Sequence, residues 1–204
     1  MYYPIMLNLE DKKALVVGGG KTGLRKAKGL LEAGAYVKII EKEGFDIGKL
    51  NIQNEKLEII IANLEECDLK EIDIMFSCTS DESENDRMQK LAKKYNILFS
   101  RVDKPDTSDF ITPSIFRDGN LTIAISTGGA NPTLAKEIRD DIKRDYSGMY
   151  REKIDLLKEL REYILENYEK NQREEMLKSL GSMTLEELRG RRSQIEDKGW
   201  KPRK

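Results

Sequence analysis

A run of three glycines set directly behind a short apolar stretch constrains this chain more than anything else in its 204 residues. Residues 13–17 read as a strand, and Gly18-Gly19-Gly20 forces a turn at its end. Residues 24–33 then carry Leu24, Ala27, Leu30 and Leu31 at helical spacing, with Gly34 as the stop. Strand, glycine turn and helix in that order give Gly-x-Gly-x-x-Gly, with Gly18, Gly20 and Gly23 as its glycines. Each has a physical task. Gly18 permits the tight turn, Gly20 lets the backbone approach a pyrophosphate, and Gly23 lets helix and strand pack closely. The helix N-terminus adds free N–H groups and a positive dipole end. The pattern therefore points to a dinucleotide, with NAD as the expected cofactor. Glu41 ends the next apolar run, where a carboxylate takes the ribose hydroxyls of NAD. Lys42 beside it leaves NADP open.

The same alternation continues. Residues 36–41, 57–61, 72–77 and 97–102 read as strands. Residues 81–95 read as a helix with Met88, Leu91 and Ala92 inward, and 44–56 as a weakly patterned crossover with room for a short helix only. Strands alternating with helices predict an α/β fold built on a parallel, Rossmann-like sheet. The rhythm changes after Asp103. Residues 110–117 and 121–126 flank Asp118-Gly119-Asn120 as a hairpin, its first arm broken or at an edge because of Pro113. Asn131 and Pro132 cap and open a helix to about residue 146. Beyond 147 only helices are expected. Leu157, Leu160, Ile164 and Tyr168 form one stripe, Thr184 and Glu187 form a capping box, and the basic end with Trp200 reads as a frayed terminus.

Three further segments carry chemistry. In an open parallel sheet, ligands lie across the carboxyl ends of the strands. The loop Ser77-Cys78-Thr79-Ser80-Asp81 should therefore border the dinucleotide, with Asn85 bracing it; Asp81 reads equally as a helix N-cap. Asp103 ends the fifth strand at the same edge. It is either a turn aspartate before Pro105 or a general base whose pKa partial burial lifts toward neutrality. The small, hydroxyl-rich loop Ser126-Thr127-Gly128-Gly129-Ala130-Asn131 precedes a helix and suits an anion.

Composition narrows the chemistry. There is no histidine, and the two cysteines, Cys67 and Cys78, form no CxxC pair. No metal site is expected, and proton transfer must rest on Asp, Glu, Lys, Tyr or Cys. Lys and Arg number 36 against 37 acids, for a net charge of −1, so nucleic acid is not an expected partner. No apolar run reaches membrane-spanning length. The N-terminus lacks the pattern of a secretory leader, which with the few cysteines suggests a reducing cytoplasm.

Taken together, these segments resemble the precorrin-2 dehydrogenase module of siroheme synthesis. Tyr3 to Leu9 resembles that family's opening strand, and Val16 to Gly20 with Arg25-Lys26 its dinucleotide loop and first helix. Thr79-Ser80-Asp81 with Asn85 is similar to its fourth-strand motif. Val102-Asp103, Asp109 to Ile115 and Leu121 to Gly129 are the most specific stretch, and the likeness runs to about residue 145. The resemblance implies three parts: an NAD-binding Rossmann-like domain (1–109), a hairpin-plus-helix dimerisation segment (110–146) and an all-α C-terminal domain (147–204). It implies a homodimer that oxidises precorrin-2 to sirohydrochlorin in tetrapyrrole biosynthesis, with hydride passing to NAD. Asp103 falls on the family's essential aspartate. Lys21, Thr22, Lys42 and Glu43 fall on cofactor contacts, and Thr127 lies near the substrate cleft with Ser126, Gly128 and Asn131. Gly23 departs from an alanine common in members, a change expected to matter little.

A polycarboxylate substrate needs cations, and Arg101, Lys104, Arg117, Lys136 and Arg139 lie in the relevant segments. Some members also insert iron into sirohydrochlorin; here such delivery would rest on carboxylates such as Asp103. The competing reading is a sensor that holds NAD without turnover. A short-chain dehydrogenase is disfavoured, because none of the eight tyrosines has a lysine four residues on.

Overall fold

Five short apolar runs pair in parallel in the computed structural model, which describes residues 2–42, 54–65 and 69–201. They are β1 (Lys13–Val17), β2 (Tyr36–Glu41), β3 (Leu57–Ile61), β4 (Ile74–Ser77) and β5 (Leu98–Arg101), in the order β3-β2-β1-β4-β5. Successive side chains of a strand face opposite sides, and the core divides accordingly. Leu15, Val17, Met75 and Phe99 face one way, with Met88, Leu91 and Ala92 of α2 (Glu82–Lys94). Ala14, Val16, Ile74 and Phe76 face the other, with Ala27 and Leu30 of α1 (Lys21–Glu32). Helices on both faces explain why β1 and β4 are continuous apolar runs rather than alternating ones.

The expected Rossmann-like sheet is thus present, with shifted boundaries. The first helix begins at Lys21 instead of 24, because its opening turn, Lys21-Thr22-Gly23, carries no apolar periodicity. The fourth strand starts at Ile74 instead of 72, since the Ile72 N–H turns back to the Leu69 carbonyl at 3.4 Å. Most of the 44–56 crossover lies outside the described residues. Residues 2–9 form no strand, contrary to expectation, and Tyr3, Ile5 and Met6 are exposed. An opening strand would need a free sheet edge, and along β5 that edge is taken. Asp109 accepts the Phe99 N–H at 2.9 Å and returns its own N–H to the Phe99 carbonyl, while Ser108 Oγ accepts the Arg101 N–H. Phe110 then meets the Phe76 ring edge-on at 5.2 Å.

The chain divides into two units, Met1–Thr112 and Pro113–Lys204. In the second, β6 (Ser114–Asp118) and β7 (Leu121–Ile125) form the expected hairpin, starting only after Pro113, with Phe116 opposite Ile123. Gly119 turns at φ +59°, a conformation that favours glycine. The helix α3 (Pro132–Tyr146) packs on this hairpin through Ala135. Buried Asp118 accepts the Gly148 N–H at 2.6 Å and pairs with Arg151, which ties the hairpin to α4 (Arg151–Asn167). With α5 (Lys170–Ser182) and α6 (Leu185–Asp197), α4 forms a bundle around Leu160, Ile164, Leu180 and Leu188. The Thr184–Glu187 capping box is formed. The end is not frayed at Trp200. Its ring packs edge-on against Tyr163 at 5.4 Å, and its N–H reaches Glu166 at 3.1 Å. Among the described residues no helix is long and apolar enough to cross a membrane.

Candidate functional site

The glycine loop leaves the carboxyl end of β1 and enters α1 without a spare residue. Gly18 takes φ +102°, and a Cβ there would stand 2.7 Å from the Cys78 carbonyl oxygen. A Cβ on Gly23 would stand 1.9 Å from the Gly18 carbonyl oxygen. The expectation that alanine at 23 would matter little therefore fails in this loop, because the carbonyl it would strike is backbone. A Cβ on Gly20 would meet nothing within 4 Å among the described residues, which leaves that side open to a ligand. Gly20 caps α1 with no side-chain hydrogen bond, and the first turn holds no acid. The amides of Lys21, Thr22 and Gly23 thus precede the first intrahelical bond, and no acid within the first turn itself offsets the positive helix end. Phosphate oxygens fit such a cradle.

Glu41, at the end of β2, turns its carboxylate to the same loop. One oxygen accepts the Gly19 N–H at 2.6 Å and the other the Lys42 N–H at 2.8 Å. Gly18, Glu41, Lys42, Thr79, Asp81 and Glu84 line one cleft at the carboxyl ends of the strands. Lys42 Nζ stands 4.0 Å from Asp81 and 3.9 Å from Glu84, so its charge is shared with two acids. Glu43 lies outside the described residues. Glu84, which the sequence reading overlooked, is kept ionised by Arg87 and by a weaker attraction to Lys42.

The β4 loop is held from below. Asn85, fully buried on α2, accepts from Ser77 Oγ and from Thr79 Oγ1 (2.7 Å), and donates to the Thr79 carbonyl at 3.2 Å. The bracing expected of Asn85 is present. Asp81 is the N-cap of α2, accepting the Glu84 N–H, while its side of the loop lines the cleft. Burial pushes the Cys78 thiol up to about 11, which leaves it protonated and a poor nucleophile at neutral pH.

Asp103 follows β5 at the same sheet edge. Both of its oxygens are gripped by Arg101, through Nε at 2.8 Å and Nη2 at 2.7 Å. The Arg101 side chain is 1% exposed and also donates from Nη1 to Asp86 at 2.6 Å and Gln89 at 2.9 Å. The Arg101 guanidinium beside it holds the Asp103 carboxyl well below the usual carboxylate range, against the opposing effect of desolvation and with lesser help from Asn85. Two expectations need correction. Partial burial does not lift this pKa, because the forked ion pair outweighs desolvation. Arg101 is not available to a substrate carboxylate, since four of its five N–H donors are engaged. Lys104 pairs with Glu82. The signal for this network lay in α2, where Asn85, Asp86 and Gln89 recur at helical spacing on the side that meets the sheet edge.

In the second unit, the loop before α3 folds on itself. Gly128 and Gly129 have φ +64° and +90°. Ser126 Oγ accepts the Gly128 N–H, and Thr127 Oγ1 accepts the Asn131 N–H at 3.0 Å and donates to the Asn131 carbonyl. Asn131 caps α3 through the Leu134 N–H, as its sequence position predicts. Among the described residues no group of three or more His, Cys, Asp or Glu is placed to hold a metal ion.

Comparison with known proteins fits this geometry. Residues 5–114 match the family model described as putative NAD(P)-binding, and residues 118–145 match sirohaem biosynthesis protein central. The structure of SirC, precorrin-2 dehydrogenase, superposes with a TM-score of 0.73 at 28% identity, covering 96% of this chain and 100% of that one. This chain belongs to the siroheme synthase/precorrin-2 dehydrogenase family. Among its members, the siroheme synthase of Nitrosococcus oceani is 36% identical over 145 residues, covering 68% of this chain and 30% of the relative. That of Ruthia magnifica is 33% identical over 168 residues, covering 82% and 35%. The chain spans about a third of the length of the curated siroheme synthases it matches. The family's NAD(P)-binding region coincides with the unit that carries the glycine loop, Glu41 and Asp103.

Proposed function

We propose that this chain oxidises precorrin-2 to sirohydrochlorin with NAD as the hydride acceptor. The observation that carries the reading is one sheet edge holding three things: the open cradle at Gly20, the Glu41 carboxylate and the fixed Asp103 carboxylate. The full-length likeness to a precorrin-2 dehydrogenase supports the substrate. The reaction removes one hydride and one proton from the macrocycle, and a bound nicotinamide would supply the hydride acceptor. The protein's work is to hold the cofactor and orient the tetrapyrrole. The amides of Lys21, Thr22 and Gly23 would take the pyrophosphate, and Glu41 the adenosine ribose. Thr79 lies beside that path. Glu41, Asp81 and Glu84 make the cleft acidic around Lys42, which favours NAD over the extra phosphate of NADP.

The loop Ser126, Thr127, Gly128 and Asn131 is proposed to meet substrate carboxylates at the start of α3. A homodimer is proposed through the second unit, because its hairpin and α3 leave large apolar side chains exposed. Leu134, Ile138 and Tyr146 of α3 and Ile115 of the hairpin are exposed. The proposed setting is the cytoplasm. Iron insertion finds no support at Asp103, whose two oxygens Arg101 already occupies. The sensor reading is separated by turnover. Purified protein given precorrin-2 and NAD should form sirohydrochlorin and NADH together, whereas binding of NAD without product would favour the sensor.

A further inference from the structure

The oxidation must dispose of a proton, and a carboxylate at the sheet edge invites the role of base. The surroundings of Asp103 argue otherwise. Arg101 lies beneath it on β5, its side chain 1% exposed, and meets it as a fork with two nearly equal bonds of 2.8 and 2.7 Å. The fork cannot swing away, because its remaining terminal nitrogen is anchored on α2 by Asp86 and Gln89. The other charged groups near this pair are Lys104, bound to Glu82, and Lys90, which acts weakly on Asp86. Two carboxylates, Asp86 and Asp103, share the one guanidinium. A planar fork fixes both position and orientation in a way a lysine cannot.

We propose that Arg101 is a positioning residue that makes Asp103 a permanent, immobile negative charge for the oxidation, not its proton acceptor. This rests on the reading of Asp103 as catalytic given above. As hydride leaves the tetrapyrrole, positive charge develops on the macrocycle. A preorganised anion stabilises that charge without moving. A carboxylate held far below neutrality is a weak base, so the proton passes to solvent water instead. Arg101 thereby sets the rate of the reaction without touching substrate or cofactor.

The test compares pH profiles of kcat and KM for the full chain, with precorrin-2 and NAD, in the wild type, Arg101→Lys, Arg101→Gln and Asp103→Asn. The wild-type kcat should show no acid limb from a carboxylate between about pH 5 and 9. Arg101→Gln should lower kcat by roughly 10- to 100-fold and bring in an acid limb near about pH 4, at unchanged KM for NAD. Arg101→Lys, which keeps the charge but loses the fork, should fall between the two. A wild-type acid limb near about pH 6 to 7, or an Arg101→Gln enzyme with wild-type rate and profile, would overturn the proposal. Should the Arg101 variants fail to melt cooperatively, carboxyl NMR of the wild type decides. Asp103 should stay ionised down to about pH 3, and a midpoint near neutrality contradicts the proposal. Wild-type turnover in Asp103→Asn would instead remove Asp103 from the reaction altogether. Loss of turnover there, with Arg101→Gln unaffected, would defeat the positioning role alone.

Discussion

At the residue scale, the glycine loop separates demands that a motif merges. Gly18 and Gly23 are required by backbone contacts within the fold, whereas a Cβ on Gly20 meets none of the described residues. Gly20→Val should therefore keep the wild-type melting temperature within a few degrees and lose NAD binding, because the branched side chain would fill the room a pyrophosphate needs. Glu41→Ser should weaken NAD and narrow its preference over NADP, by at least about tenfold in the ratio of Kd values. Fluorescence titration of both dinucleotides measures the two effects, and a Gly20→Val protein that binds NAD normally would contradict the cradle. The motif was legible because its chemistry is local. The anchoring of Arg101 was not, since it joins β5 to Asp86 and Gln89 of α2, 15 and 12 positions away.

At the element scale, the strands of the sheet were legible from their apolar runs, and the caps from Asn131 and Thr184. What escaped was decided by tertiary contacts. The opening turn of α1 is polar and glycine-bearing, so no periodicity announces it. The family resemblance implies a strand over Tyr3 to Leu9, yet Asp109 and Ser108 take the edge of β5. Trp200 was misjudged because a basic tail says nothing about where its one large apolar side chain lands. It packs on Tyr163 of α4. Trp200→Ala should lower the stability of the helical unit by about 1 to 3 kcal/mol. Hydrogen exchange should show this as faster opening of α4 and α6 amides while β1 and β4 amides are unchanged. Unaltered exchange in α4 would mean that the ring contributes nothing there.

At the scale of the whole molecule, the titration pattern sets the working range. Asp73, Asp81, Glu84, Asp86, Asp103 and Asp118 are all held below their ordinary values, each first by a hydrogen bond from a neighbour. For depressed carboxylates the stabilisation is complete above the unfolded-chain value of about 4 and is lost as pH falls through the folded values. Cys78 acts on the alkaline side. Its thiol is raised from 9.0 to about 11, so its contribution is complete below the unfolded value and is lost as pH climbs through that window. With no histidine in the chain, melting temperature should be flat from about pH 5 to 9 and fall on either side. A step near about pH 6.5 in a thermal scan would contradict this. Light scattering at micromolar concentration should return twice the mass of one chain, and a monomer would remove the proposed dimer.

The most direct measurement follows sirohydrochlorin and NADH absorbance together after precorrin-2 is added to purified protein and NAD. Wild type should form both in equal amounts. Asp103→Ala should bind NAD as tightly as wild type and form neither. Product from Asp103→Ala at the wild-type rate, or wild type that binds NAD and leaves precorrin-2 unchanged, would contradict the assignment of this sheet edge to tetrapyrrole oxidation.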